Sequence, residues 1–150
     1  VLKQFGTVTV PAMLLILLAL LGGCQSPGGR QVINARRPLG PYSGAIRVGN
    51  TVWVSGHLGL DPATGELVPG GVGAETRRTL ESLREVLEEA GFGLSDVVRA
   101  TVFLTDIGDY AAMNEVYAEF FKASPPARAC VEVSGLVKGA RVEISCVAAR

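Results

Sequence analysis

From residue 45 onward the chain alternates between two hydrophobic periods. Residues 45–48 and 51–57 have strand character, with Thr51, Val52, Trp53 and Val54 β-branched or aromatic. Gly49-Asn50 between them is a two-residue hairpin signal. Turn chemistry follows at 61–65 and 69–71, where Asp61-Pro62 and Pro69-Gly70-Gly71 punctuate the chain. The period then changes. Leu80, Leu83, Leu87 and Ala90 recur at helical spacing, which predicts a helix over 74–90 ended by Gly91. Arg77 with Glu81, and Arg84 with Glu88, stand four apart and read as exposed pairs on its solvated side. Val98, Ala100, Val102 and Leu104 alternate with Arg99 and Thr101, a strand over 97–104. Met113, Val116, Tyr117 and Phe120 make the buried stripe of a second helix over 109–121. Strands at 128–133 and 142–148 close the chain.

The order β-β-α-β-α-β-β predicts an α+β domain, with a mixed sheet of five or six strands and two helices on one face. The other face must meet water or another surface. Along the last strands Ala129, Val131 and Val133 alternate with Arg128, Cys130 and Glu132, while Val142, Ile144 and Cys146 alternate with Glu143 and Ser145. The uncovered face is therefore expected to carry polar groups together with apolar surface, and to be covered by other subunits with sites at the seams. By the same alternation Cys130 and Cys146 are expected to face opposite ways, which disfavours a disulfide. Trp53, Ser55 and His57 are expected on one face of their strand.

The first residues are a different material. Lys3 precedes an apolar run over 8–21, short for a membrane span and suited to the core of an export signal. Leu21-Gly22-Gly23-Cys24 resembles the bacterial lipobox, in which cleavage precedes a cysteine that carries lipid; the alternative is an uncleaved anchor with an incidental cysteine. The organisation read from this is a signal peptide over 1–23, a lipid-attachment Cys24 with a flexible tether over 24–37, and a folded domain over 38–150. The expected location is the outer side of a bacterial membrane, held there only by the lipid or the signal segment.

The full chain has 14 Lys+Arg, 14 Asp+Glu and one histidine. Removing residues 1–23 takes away only Lys3, leaving 13 basic against 14 acidic residues and a net charge of −1. A chain that tracks phosphates would be basic, so nucleic acid is disfavoured as a partner. The three cysteines and His57 show no zinc spacing, and no Walker loop, dinucleotide fingerprint or nucleophile elbow is present. No metal and no cofactor is expected.

Five places carry candidate chemistry. Arg128 offers a planar fork that matches a carboxylate; it could equally be an ion-pair partner of Glu132 or Glu143. Glu143 is a carboxylate in an otherwise apolar strand, costly unless paired or used. Cys130 is either a thiol activated by the neighbouring cation or a small residue lining a pocket. Tyr42 ends the Leu39-Gly40-Pro41-Tyr42 turn and offers a ring and hydroxyl, or simply packs on the domain edge. Ser55-Gly56-His57 is either a place where the backbone approaches a ligand or a strand end with a bulge.

Taken in order, several stretches resemble the YjgF/RidA family of enamine/imine deaminases. They are Gly40-Pro41-Tyr42-Ser43, Gly49-Asn50-Thr51-Val52-Trp53-Val54-Ser55-Gly56, Thr101-Val102-Phe103-Leu104-Thr105-Asp106, Asn114-Glu115-Val116-Tyr117, Pro126-Ala127-Arg128-Ala129-Cys130-Val131-Glu132-Val133 and Val142-Glu143-Ile144. The resemblance implies a chorismate-mutase-like fold and a homotrimer with three clefts between subunits. It implies that Arg128 grips a substrate carboxylate, Glu143 orients the attacking water, and Tyr42, Ser55, Gly56 and Cys130 line the pocket. The implied reaction is hydrolysis of 2-aminoacrylate-like enamines and imines to a 2-keto acid and ammonia. A non-catalytic module that binds small carboxylates in the same clefts is the competing expectation. Ribonuclease activity is disfavoured by the single histidine and the neutral charge. His57 and Gly44 stand where many relatives have glutamine, and the export segment departs from relatives that are cytosolic.

Overall fold

The computed structural model describes residues 29–34 and 38–150. The export segment, Cys24 and most of the tether lie outside the described residues. Six strands form one sheet: β1 (Gln31–Ile33), β2 (Ala45–Val48), β3 (Thr51–Leu58), β4 (Val97–Leu104), β5 (Ala127–Glu132) and β6 (Val142–Ala149). The spatial order is β1-β2-β3-β6-β4-β5, with only the β4–β5 pair parallel. β1 is a short edge strand inside the stretch read as tether, and Ile33 on it is buried in the core.

Two helices, α1 (Gly71–Glu89) and α2 (Tyr110–Phe120), pack on one face. α1 begins three residues before the predicted start, after Gly70 in the left-handed region. It ends at Gly91, whose φ of 79° lets Phe92 N–H return to Leu87 O at 2.8 Å. Leu80, Leu83, Val86 and Leu87 are buried against Val52, Val102, Ile144 and Ala148 of the sheet. The expected Arg77–Glu81 pair is replaced by a helix-to-helix one. Arg77 reaches Glu119 of α2 at 2.8 Å, while Arg78 holds both Glu81 and Glu85.

Two bulges break the simple alternation of the strands. Between Val54↔Cys146 and His57↔Ile144, Ser55 and Gly56 together oppose the single residue Ser145. His57 is thereby turned to the helix side, where its Nδ1 lies 2.8 Å from Ser82 Oγ of α1. Trp53 remains on the uncovered side at 48 % exposure, so the predicted common face of Trp53 and His57 does not exist. Between Val97↔Ala148 and Arg99↔Val147, Val98 is the extra residue; Val97 takes the buried place and Val98 is exposed.

The alternation on β5 runs opposite to expectation. Ala100 of β4 pairs with Arg128 on one side and Cys146 on the other. Arg128 and Cys130 therefore face the helix layer, together with Cys146. Ala129 and Val131 face the uncovered side. The two cysteines share a face rather than opposing each other, but β4 separates their strands and both thiols are free. Two strand spacings are about 10 Å, beyond the reach of a disulfide. The physical reason for the reversal is α2. Its Asn114 and Tyr117 give Arg128 a polar and aromatic berth that the open face lacks.

The uncovered face carries Ile46, Trp53, Val147, Phe103 and Val131, with Glu143, Ser145, Thr101 and Arg99 among them. Neither helix lies on it. Among the described residues no helix is long and apolar enough to cross a membrane.

Candidate functional site

The β3 bulge shapes the first half of the site. Val142 and Ile144 are buried toward the helices, so Glu143 between them projects to the other side. There its carboxyl group folds over Gly56, and any Cβ at position 56 would overlap it. Glycine is therefore required by the position of the Glu143 side chain rather than by backbone strain. Ser55 donates its hydroxyl to Ser43 O at 2.7 Å and its N–H to Gly44 O at 3.0 Å, which ties the 40–44 turn to the bulge. Tyr42 stands at the mouth of that turn, accepting the Leu39 N–H on its hydroxyl. Tyr42, Ser55, Gly56, His57 and Glu143 all line one cleft of about 1020 Å³. Burial pushes the Glu143 carboxyl above the ordinary carboxylate value.

Arg128 of β5 forms the other half, packed against α2. Its Nη2 donates to Asn114 Oδ1 at 2.6 Å, and its guanidinium lies 4.5 Å from the centre of the Tyr117 ring. Tyr110 adds a longer contact at 3.4 Å from its hydroxyl. Neither of the expected ion pairs, to Glu132 or Glu143, forms; Glu132 instead accepts the Ile107 N–H. Arg128, Asn114, Tyr117 and Phe121 line a second cavity of about 520 Å³. Burial holds the Tyr117 hydroxyl up to about 12, so beside Arg128 it stays a neutral ring and donor.

Cys130 lies two residues along the same row and packs against the core. Burial pushes its thiol up, and the opposing pull of the Arg128 charge does not reverse this. A protonated thiol is a poor nucleophile, which argues against the activated-thiol reading; within one chain Cys130 lines neither cavity.

Within one chain, then, the predicted residues fall into two groups. Glu143, Gly56, Ser55 and Tyr42 meet on the cleft beside β3. Arg128 and Cys130 lie beyond β4, on the opposite face of the sheet. Asn114 and Tyr117 were absent from the sequence-predicted site. The available signal was the polar Asn114 flanking the apolar stripe of α2, one residue from Met113 and three from Tyr117. Among the described residues no cluster of three His, Cys, Asp or Glu side chains could hold a metal.

Comparison with known proteins gives this division a context. A family model described as Endoribonuclease L-PSP matches residues 32–150. A RutC family protein of Pyrococcus horikoshii is 50 % identical over 115 residues, covering 77 % of this chain and 91 % of that protein. The goat (Capra hircus) protein named 2-iminobutanoate/2-iminopropanoate deaminase is 48 % identical over 121 residues, covering 79 % of this chain and 88 % of its own. The crystal structure of RidA from the Antarctic bacterium Psychrobacter sp. PAMC 21119 superposes with a TM-score of 0.77 at 42 % identity, covering 80 % of this chain and 99 % of that one. Two helices on a six-stranded mixed sheet, the Arg128 and Glu143 motifs and these matches agree: the chain belongs to the YjgF/RidA family.

Proposed function

We propose that this chain hydrolyses small 2-imino acids and their enamine tautomers, such as 2-aminoacrylate, to 2-keto acid and ammonia, in clefts shared between copies of itself. The observation that carries this reading is the separation of Arg128 and Glu143 onto opposite faces, each in its own partial cavity. One chain cannot bring them to one substrate. A second copy laid on the uncovered face can set its Arg128 cavity against the Glu143 cleft. Val131, 44 % exposed, and Trp53 supply apolar surface for that contact. Burying a side chain such as valine is worth roughly 1.5–3 kcal/mol. The names of the deaminase relatives support the chemistry, and a homotrimer is the assembly we infer.

Arg128, steadied by Asn114 and the Tyr117 ring, binds the substrate carboxylate and so fixes the reacting carbon. Glu143 accepts a proton from water as the water oxygen bonds to the imine carbon, and passes that proton to the imine nitrogen, giving the carbinolamine. Glu143 then takes the hydroxyl proton and delivers it to the amino nitrogen, so that the C–N bond breaks with neutral ammonia as the leaving group. Ammonia leaves and the 2-keto acid remains. Burial raises the Glu143 carboxyl, which suits a group that both takes and returns a proton. The family description names an endoribonuclease; no Lys or Arg lines the Glu143 cleft, which offers a phosphate chain no track.

The test is to generate the imine of alanine or 2-aminobutyrate with an amino-acid oxidase and follow its loss. Wild type should accelerate hydrolysis, and Arg128→Ala and Glu143→Gln should each abolish it. Mixing and re-annealing the two variants should restore part of the activity, because some clefts then hold both intact residues. If wild type and Arg128→Ala behave alike, the deaminase reading fails; if the mixture stays inactive, the shared cleft fails. Lipid attachment at Cys24 remains part of the proposal. A mature chain lacking residues 1–23, with acyl mass on Cys24, is the outcome that supports it.

A further inference from the structure

Among the described residues one carboxyl-bearing residue is fully buried, Glu75 of α1, at 5 % exposure. A carboxyl group taken out of water costs free energy unless a donor meets it. The donor is the backbone N–H of Arg141, which reaches Glu75 Oε2 at 2.8 Å. Arg141 stands directly before β6 and two residues before Glu143. The turn leading into β6 takes left-handed φ at Lys138 and Gly139, 60° and 73°. Its own backbone bonds, Gly139 N–H to Leu136 O and Ala140 N–H to Val137 O, stay inside the turn. The Lys138–Glu66 pair, at 3.3 Å, lies on the surface and is weak. Arg141 is instead held through its backbone by other elements. Glu75 takes its N–H, and its carbonyl accepts the Thr105 N–H at 3.1 Å, just beyond β4.

Glu75 also bears on β3. Gly59 directly follows that strand, and a Cβ built on it would stand 2.6 Å from Glu75 Cα. The α1 backbone therefore lies on the end of β3 with room only for glycine. Leu58, the residue before, is the pairing partner of Glu143. One residue of α1 thus touches both strand ends that set Glu143 over Gly56, β3 through its backbone and β6 through its carboxyl.

We infer that Glu75 is a positioning residue for Glu143: by holding the Arg141 N–H it fixes where β6 begins, and so where the Glu143 carboxyl stands relative to the water it activates. The inference rests on Glu143 as the proton carrier of the proposed deaminase. Glu75 lines neither cavity, so it acts only through Arg141. Its loss should leave carboxylate binding at Arg128 intact and slow the proton transfers, since moving a reacting group by about 1 Å can cost roughly 100-fold.

The test uses the full chain and the alanine imine made in place, with kcat counted per folded chain. Glu75→Gln keeps an acceptor of the same reach and should hold kcat within about twofold of wild type. Glu75→Met fills the same space without a comparable acceptor. Its kcat should fall roughly tenfold while KM stays within about twofold. A role in stability alone would shrink the folded fraction and leave kcat per folded chain unchanged, which overturns the inference. Equal losses in the Gln and Met variants, or a change in KM alone, also overturn it. If Glu75→Met does not fold, Glu75→Asp decides, because it keeps the charge but draws the acceptor back by one methylene. A kcat lowered about threefold or more supports the inference, and a smaller change overturns it. If wild type turns over no imine, the deaminase reading fails by itself, and carbon-13 NMR titration of the Glu143 carboxyl then decides the positioning. Burial raises that carboxyl. Released from its place it meets more water, so its midpoint should be lower in Glu75→Met than in Glu75→Gln. Both variants lack the Glu75 carboxylate, so the comparison isolates the hydrogen bond, and a common midpoint overturns the inference.

Discussion

The carboxyl group of Glu143 lies over the Cα of Gly56, on the neighbouring strand, in the space where a side chain would begin. The β3 bulge creates this overlap by setting Ser55 and Gly56 against the single residue Ser145. The smallest side chain at 56 must therefore push the carboxylate aside. Gly56→Ala is expected to lower kcat nearly as far as Glu143→Gln. Because the displaced group is a flexible side chain, its stability cost should stay near the low end of the roughly 1–3 kcal/mol typical of overpacking. Thermal unfolding beside imine hydrolysis separates the two effects.

Burial raises the Glu143 carboxyl above its ordinary value, and this gives two pH signatures. Activity that needs the ionised group should fall with acid at a midpoint above the usual glutamate value of about 4.3. For stability, the folded chain holds this proton more tightly than the unfolded chain. Its contribution is complete below the unfolded value and is lost as pH rises through the folded one. Glu143→Gln should lack that loss. The difference in unfolding free energy between wild type and variant, measured across the weakly acidic range, checks the sign.

Arg128 presents a fork to both Asn114 and the inferred substrate, with the Tyr117 ring beneath it. Lysine keeps the charge but loses the second donor and the planar stacking. Arg128→Lys should cost about 1.5–3 kcal/mol of transition-state binding, a fall in kcat/KM of roughly 10- to 100-fold. Equal kcat/KM in the two proteins would show that a point charge is sufficient.

Val131 stands on the uncovered face in a row with Phe103 and Glu143. A carboxylate placed there would be buried without a partner if a second copy covers the face. Val131→Asp should shift the molecular mass measured by light scattering from an oligomer to the monomer and abolish activity with it. An unchanged mass would mean that this face does not form the contact.

The helices, the hairpin and the closing strands were legible because each writes a local period. The Leu80, Leu83 and Leu87 stripe specifies α1 without knowledge of what covers it, and Gly49-Asn50 specifies the β2–β3 turn. The motifs around Arg128 and Glu143 likewise named the family from sequence alone. Alternation failed at Ser55-Gly56 and at Val98, because a bulge adds a residue to one strand only and the partner strand is remote in sequence. It also failed for the facing of β5. A period of two states which residues share a face but not which face meets the helices. That choice was made by α2, where Asn114 and Tyr117 receive the guanidinium. The sequence by itself determined the elements and the chemical groups. Only the tertiary structure decided that β4 lies between Arg128 and Glu143 and turns them to opposite faces, because strand order depends on long-range pairing that no local pattern encodes.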